Sequence, residues 1–341
     1  MKYYTIIVIS IQYLSILSQV SILNLQGDHA NSAMQEIALD VLQTVVKYAK
    51  APLSDQLIEI AFPAAVHCIL RTDDHAVMQS GGECLRSFIF VAPHQVCSYK
   101  NGEGLNYIMQ VTILLLNPMN AEFTAAFIGR LIITIISKAG TMIGDNIHLL
   151  LKAVISKLQL VETLGVTMSL ITAFAHLFVT QMEAVLNFLS TVPGPTGEPA
   201  MQYVFSRWLS VQHLFYGNYE RKVTTMALCK LFEHGVTTKD VRLTSVTIRD
   251  IADNVQSNST RSRVTRSTAN NQQIWINIPI LVKIFKLLIN ELVFLKELNF
   301  RDAVYEECSS GGDDDENDDA SEKSQTTGGP CKLSDLDGGK F

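Results

Sequence analysis

Apolar residues recur at helical spacing from Ser32 almost to residue 298, in separate stretches divided by short links. Ile37, Ala38, Val41, Leu42, Val45 and Val46 form one stripe, and Ile147, Leu150, Leu151, Val154, Ile155 and Leu158 form another. Steps of three and four residues place such side chains on one face of a helix. Comparable stripes run through 54–70, 74–91, 105–116, 122–138, 162–179, 200–214, 221–234 and 278–298. The links carry helix breakers: Pro52, Pro118, the Gly140 and Gly144 pair, and Pro193, Pro195 and Pro199. No stretch alternates with period two between hairpin turns, which argues against a large sheet.

The helices fall into pairs whose first members begin near residues 33, 74, 121, 162 and 199. That step of about 40 residues is the period of two-helix HEAT or armadillo-type repeats. A helical bundle is the alternative, but about ten short-linked helices in a row stack more naturally as a solenoid. Residues 236–274 break the rhythm with a Ser/Thr/Asn-rich stretch, read as an inter-helix insertion. A helix of a further repeat is expected over 275–300, with Pro279 within its first turn. The resulting division is an atypical apolar segment at 1–29, repeats over 30–235, the insertion, that helix, and an acidic disordered tail at 301–341.

The net negative charge is confined to one end. The chain nets −6, whereas residues 306–341 alone hold eleven acids and three lysines, so the remainder is slightly positive. The acids concentrate in Asp313, Asp314, Asp315, Glu316, Asp318 and Asp319. A body without a basic stripe gives no footprint for nucleic acid. Arg261, Arg263 and Arg266 form a small basic cluster inside the polar insertion and read as a solvated loop. The acid run starts with the Asp313, Asp315, Asn317 spacing of a calcium loop. It has Asp318 where such a loop needs glycine and Ser324 where it needs a bidentate glutamate, so that reading fails.

The residues point to no catalytic centre. The chain lacks a GxSxG elbow, a Walker loop and an HExxH pair. Gly81 and Gly82, before Cys84, lie within a helical stripe and are read as sites of close helix packing. The six cysteines show no paired spacing, and Cys68, Cys84 and Cys229 sit in apolar helical contexts as small hydrophobes. His67, Cys68, His94 and Cys97 match no standard zinc spacing. No cofactor or metal is expected, and the thiols suggest a reducing compartment. Trp208, Phe215, Tyr216 and Tyr219 are read as core at a helix joint around Gly217-Asn218. Residues 3–25 are apolar enough to raise an anchor, but six serines and glutamines from Ser10 to Ser21 interrupt them, so a membrane role is disfavoured.

Four segments carry a resemblance to a known family. They are "TDDHAVMQSGGECLRSF" (72–88), "EFTAAFIGRLIITIISKAG" (122–140), "VPGPTGEPAMQYVFSRWLSVQHLFYGNYERKVTTMALCKLFEHG" (192–235) and "WINIPILVKIFKLLINEL" (275–292). In this order they resemble the C-terminal third of a karyopherin-β (importin-β family) nuclear transport receptor, over roughly residues 30–300. The first two dozen residues and the stretch after Ser324 depart from that pattern.

The resemblance implies an all-α fold, a HEAT-repeat (armadillo-type) right-handed superhelical solenoid of antiparallel helix pairs. It implies a non-enzymatic receptor in cytoplasm and nucleus that binds basic protein cargo, such as the core histone dimer, ribosomal proteins or actin. The GTPase Ran and nucleoporins are the family's further partners. In that family Ran is held largely by N-terminal repeats, most of which this chain lacks, so its binding here is open. The acid run from Asp313 to Asp319 would then attract Lys/Arg-rich cargo. A helical-repeat scaffold or histone-binding chaperone without a transport cycle is the alternative, and a membrane-anchored helical protein is the more distant one.

Overall fold

The computed structural model describes residues 32–117, 120, 122–144, 146–195, 197–251 and 275–309. The apolar segment at 3–25, the arginine cluster and the acid run lie outside these. The described chain divides into two compact units between Ala200 and Met201.

The first unit is built of helices in two layers. One layer holds α1 (Ser32–Tyr48), α3 (His75–Val91), α6 (Ile128–Ile143) and α8 (Leu164–Thr191). Each packs on the next: α1 on α3, α3 on α6, α6 on α8. The other layer holds α2 (Phe62–Arg71), α5 (Glu103–Leu116) and α7 (Asn146–Leu160), again packed in succession. A π-helical turn over Gln56–Ala61 leads into α2, and the short α4 (Pro93–Ser98) precedes α5. The chain thus alternates between layers, as a two-helix repeat requires.

Side-chain hydrogen bonds between repeats record the period. Gln95 bonds the backbone of Leu53, the Ser169 hydroxyl accepts from the Gly129 N–H, Ser137 meets His176, and Lys157 reaches the Asn117 carbonyl. Glu122 accepts from the N–H groups of Glu162 and Thr163. All these pairs are separated by 39–42 residues. That spacing matches the HEAT period and is longer than a TPR unit.

The glycine pair acts as its context suggests. A Cβ on Gly81 would overlap Ile69 of α2, and one on Gly82 would overlap the Phe127 ring before α6. Two adjacent glycines therefore let α3 fit between the flanking helices. Asp74 caps α3, its carboxylate accepting from the N–H groups of Ala76 and Val77 at 2.9 and 3.2 Å.

In α8 the predicted stripe ends at 179, yet the helix continues to Thr191 with non-helical backbone at Gln181. Past that kink, Phe188 stacks on His148 of α7 at 5.5 Å, so the distal half joins the second layer. One bent helix supplies both members of a repeat. By length and composition α8 could cross a membrane, but most of its apolar window is buried in the unit.

The second unit starts with α9 (Ala200–Val211), whose residues from Met201 onward belong to it, and α10 (Asn218–Thr238). Trp208 and Phe215 are buried, consistent with a core joint, whereas Tyr216 is 85% exposed and belongs to the surface. The buried Trp208 indole donates to Gln212 at 2.7 Å, and the Gln212 amide donates to the Thr224 hydroxyl at 3.1 Å.

The polar insertion contains structure that periodicity did not reveal. After the short α11 (Val241–Thr244), β1 (Thr247–Ile251) pairs antiparallel with β2 (Trp275–Pro279), from Thr247 opposite Pro279 to Ile251 opposite Trp275. Residues 275–279, expected as the first turn of a helix, are therefore strand. Pro279 ends the strand, and α12 (Ile280–Ser309) begins after it. Ion pairs from Asp250 to Lys283 at 2.6 Å and Lys286 at 3.6 Å hold the ladder along α12. The α12 helix also packs on α10, where Phe285 stacks on Phe232 and the Arg221 guanidinium bonds Glu291 at 2.6 Å.

Candidate partner-binding surface

The second layer of the first unit carries two grooves, one on each side of α5. Their walls follow from the register of the helices. Glu59 in the π-helical turn and Pro63, His67 and Arg71 in α2 follow one another at four-residue steps, and all but Pro63 bring a polar side chain to the groove. Tyr107 of α5 stands one repeat beyond His67, and the two rings meet edge to face at 5.5 Å.

The α2–α5 groove encloses about 590 Å³ and is polar. Glu59, Arg71, Asp73 and Lys100 line it, with His67, Tyr99 and Tyr107. At its edge the backbone is left-handed at Lys100, Asn101 and Gly102, which directs the Lys100 ammonium over the Tyr99 ring at 5.3 Å. Tyr107 donates to the Glu103 carboxylate at 2.8 Å, which pushes its own ionisation up.

The α5–α7 groove encloses about 570 Å³ and differs in kind. Its walls are Leu105, Met109, Ile113 and Leu116 from α5 and Leu149, Leu150 and Ala153 from α7. Asn106 and Asn146 are its polar side chains, and none of its lining residues is charged. Ile113 and Leu149 are 61% and 60% exposed, so the apolar rim faces solvent.

A polar network absent from the sequence reading, with Lys157 as its buried member, joins successive repeats. Lys157 is 2% exposed, and its ammonium donates to the Asn117 carbonyl at 2.9 Å. Burial holds its pKa below the usual lysine range, against the pull of Glu122. Glu122 in turn takes the N–H groups of Glu162 and Thr163 at the start of α8, at 2.8 and 2.6 Å, and the Thr163 side chain together with these backbone bonds holds its carboxyl below the ordinary range. A lysine within an apolar stripe was the available signal. In the second unit, Asp240 accepts from the Arg242 guanidinium and backbone and pairs with His234 at 3.0 Å, so its carboxyl stays ionised well into acid.

The remaining singled-out residues are scattered. Among the described residues, His67, Cys68, His94 and Cys97 do not converge into a ligand set. Cys68, Cys84 and Cys97 are buried thiols, and burial pushes Cys68 and Cys97 up to about 11. Cys229 corrects the expectation made from its context, since it is exposed on α10. The six acids from Asp313 to Asp319 lie beyond the described residues, four positions past the end of α12.

A two-layer stack of paired helices, with grooves between successive members of a layer, is the framework of a helical-repeat receptor. Residues 12–261 match the family described as importin-11-like, TPR repeats, and the chain belongs to this family, one of nuclear transport receptors. It is 62% identical over 280 residues to Importin-9 of Drosophila melanogaster. The aligned part is 82% of this chain and 27% of that protein, so the chain spans a minor share of the relative's length. The family match begins at residue 12, inside the apolar segment whose residues depart from the karyopherin pattern.

Proposed function

We propose that this chain is the cargo-holding part of a nuclear transport receptor and that it carries basic proteins, the core histone dimer and ribosomal proteins among them, between cytoplasm and nucleus. The supporting observation is the 62% identity to an importin, combined with a run of six acids in seven residues. A block of like charge stays extended and solvated, so it can meet Lys/Arg-rich segments without a fixed geometry. Asp313, Asp314, Asp315, Glu316, Asp318 and Asp319 are assigned as that contact. Ran and nucleoporins are partners of the longer receptor in this reading.

The test is binding of the full chain to a purified core-histone dimer at two salt concentrations, beside a variant with the five aspartates changed to Asn and Glu316→Gln. Exposed charges are screened beyond about 8–10 Å near physiological salt, so the contact should weaken as salt rises. The expected result is salt-sensitive binding that falls sharply in the variant. Equal binding by both proteins would remove the acid run from the site. No binding by the folded chain would favour a helical-repeat scaffold without a transport cycle.

A further inference from the structure

We propose that residues 6–25 fold back along α1 as an antiparallel helix and seat Ile6, Ile9, Tyr13, Ile16, Val20 and Leu23 on its exposed flank, so that the apolar N-terminal segment caps the first unit instead of entering a membrane. The inference is independent of the cargo reading, because it uses neither the acid run nor either groove.

The flank comes first. α1 buries Ala38, Leu39, Leu42, Val45 and Val46, and α3 packs on it. Beside that face runs a second apolar stripe, Met34, Ile37, Val41 and Tyr48, again at helical steps. Met34, Ile37 and Tyr48 are 47%, 57% and 71% exposed, and Val41 is half-buried. Among the described residues α1 stands at the end of its layer, where a repeat array needs either a polar face or a further element over it. The chain just before α1 supplies such an element. Ile6, Ile9, Tyr13, Ile16, Val20 and Leu23 recur at steps of three and four, while Gln12, Ser15 and Gln19 share another side. A polar stripe suits a helix with one side in water better than one surrounded by lipid. Ile7, Ile11 and Leu14 form a further apolar edge, as a repeat helix has where it meets the next member of its own layer, here α2. Length and connection agree. At 1.5 Å per residue a helix from Ile6 to Leu23 runs about 26 Å, enough to cover the roughly 21 Å from Met34 to Tyr48. Residues 26–31, with Gly27 among them, are all that separates Leu25 from α1, and links of about two to eight residues join antiparallel helices in such stacks. The described chain alternates between layers, so the element before a first-layer helix belongs in the second layer beside it. The family match begins at residue 12, within the segment, and so extends the repeat pattern onto it.

Hydrogen exchange of the full chain, read by mass spectrometry, is the test. Amides of residues 9–23 should exchange at least about tenfold more slowly than those of an unstructured chain. Ile37→Asp, at an exposed position of α1, should remove that protection, because the new carboxylate must be desolvated when the segment docks. Ile16→Asp should remove it from the other side of the contact, and its result stands even where Ile37→Asp disturbs α1. Both variants should keep the protection of α3 and α6. Gln19→Glu, on the polar side of the segment, should exchange like the unaltered chain. Free exchange of residues 9–23 in the unaltered chain would overturn the cap. Protection that survives both Ile37→Asp and Ile16→Asp would overturn the assigned contact. Two other occupants have their own signatures. A dimer in sedimentation velocity that Ile37→Asp dissociates, with residues 9–23 exchanging freely, would show a second copy on the flank. Protection of residues 9–23 that arises only with phosphatidylcholine vesicles would show a membrane segment. Either result means the proposal is wrong.

Discussion

His176 makes the stability of the first unit depend on pH in a way that can be calculated. The imidazole is 4% exposed in α8, its Nε2 lies 3.2 Å from the Ser137 hydroxyl one repeat earlier, and its Nδ1 has no partner among the described residues. Burial lowers its pKa from 6.5 to about 4, and burial is the only cause. The unfolded chain therefore takes up a proton that the folded chain refuses. Stability is full above pH 6.5, falls as pH drops towards 4, and levels off below that. With these two values, the loss between pH 7.5 and pH 5 is about 2 kcal/mol. Urea unfolding of the full chain and of His176→Gln, followed by circular dichroism at both pH values, isolates this contribution. The variant keeps a hydrogen-bonding side chain and loses the titration. It is expected to be less stable at pH 7.5, yet its further loss on going to pH 5 should be smaller than that of the wild type by about 2 kcal/mol. Other titrating groups act on both proteins and cancel in the difference. Parallel pH dependence in the two proteins would refute the argument, since His176 would then ionise alike in both states.

Three further outcomes follow from the packing. Gly82→Ala forces a methyl into the Phe127 ring between α3 and α6, and should cost about 1–3 kcal/mol in chemical unfolding. Glu122→Ala leaves the N–H groups of Glu162 and Thr163 at the start of α8 without their acceptor, and should cost about 1 kcal/mol, while hydrogen exchange in the first turn of α8 accelerates. Lys157→Ala leaves the Asn117 carbonyl without its ammonium donor and opens a cavity, so it should destabilise more than the exposed Lys152→Ala does; equal midpoints would show that the buried ammonium does not contribute net stability.

Helix existence and repeat period could be read from the residues because both follow from where apolar side chains fall. The predicted first helices near 33, 74, 162 and 199 begin close to the observed starts of α1, α3, α8 and α9. Phase was harder to read. In α1 the predicted face includes Ile37, which is 57% exposed, and omits Leu39, which is fully buried. A stripe defines a face only coarsely, and which flank is buried depends on the neighbouring helix. The hairpin was hidden for a different reason. Its strands are short and lie far apart in the chain, at Thr247–Ile251 and Trp275–Pro279, so no local alternation and turn announces the pair. Backbone pairing across such a gap depends on tertiary contacts, here the Asp250 ion pairs to Lys283 and Lys286 on α12.

The partner-binding surface shows the same division between local and nonlocal information. A run of acids is visible because charge needs no geometry to act, and the sequence reading placed its whole site there. The two grooves exist only where side chains one repeat apart line one channel, as Asn106 and Asn146 do, and as His67 and Tyr107 do with their rings in contact. Each partner alone looks like an ordinary surface residue on its own helix. Folding converts the repeat period into adjacency, and chemically different helices then yield chemically different grooves from one repeated architecture.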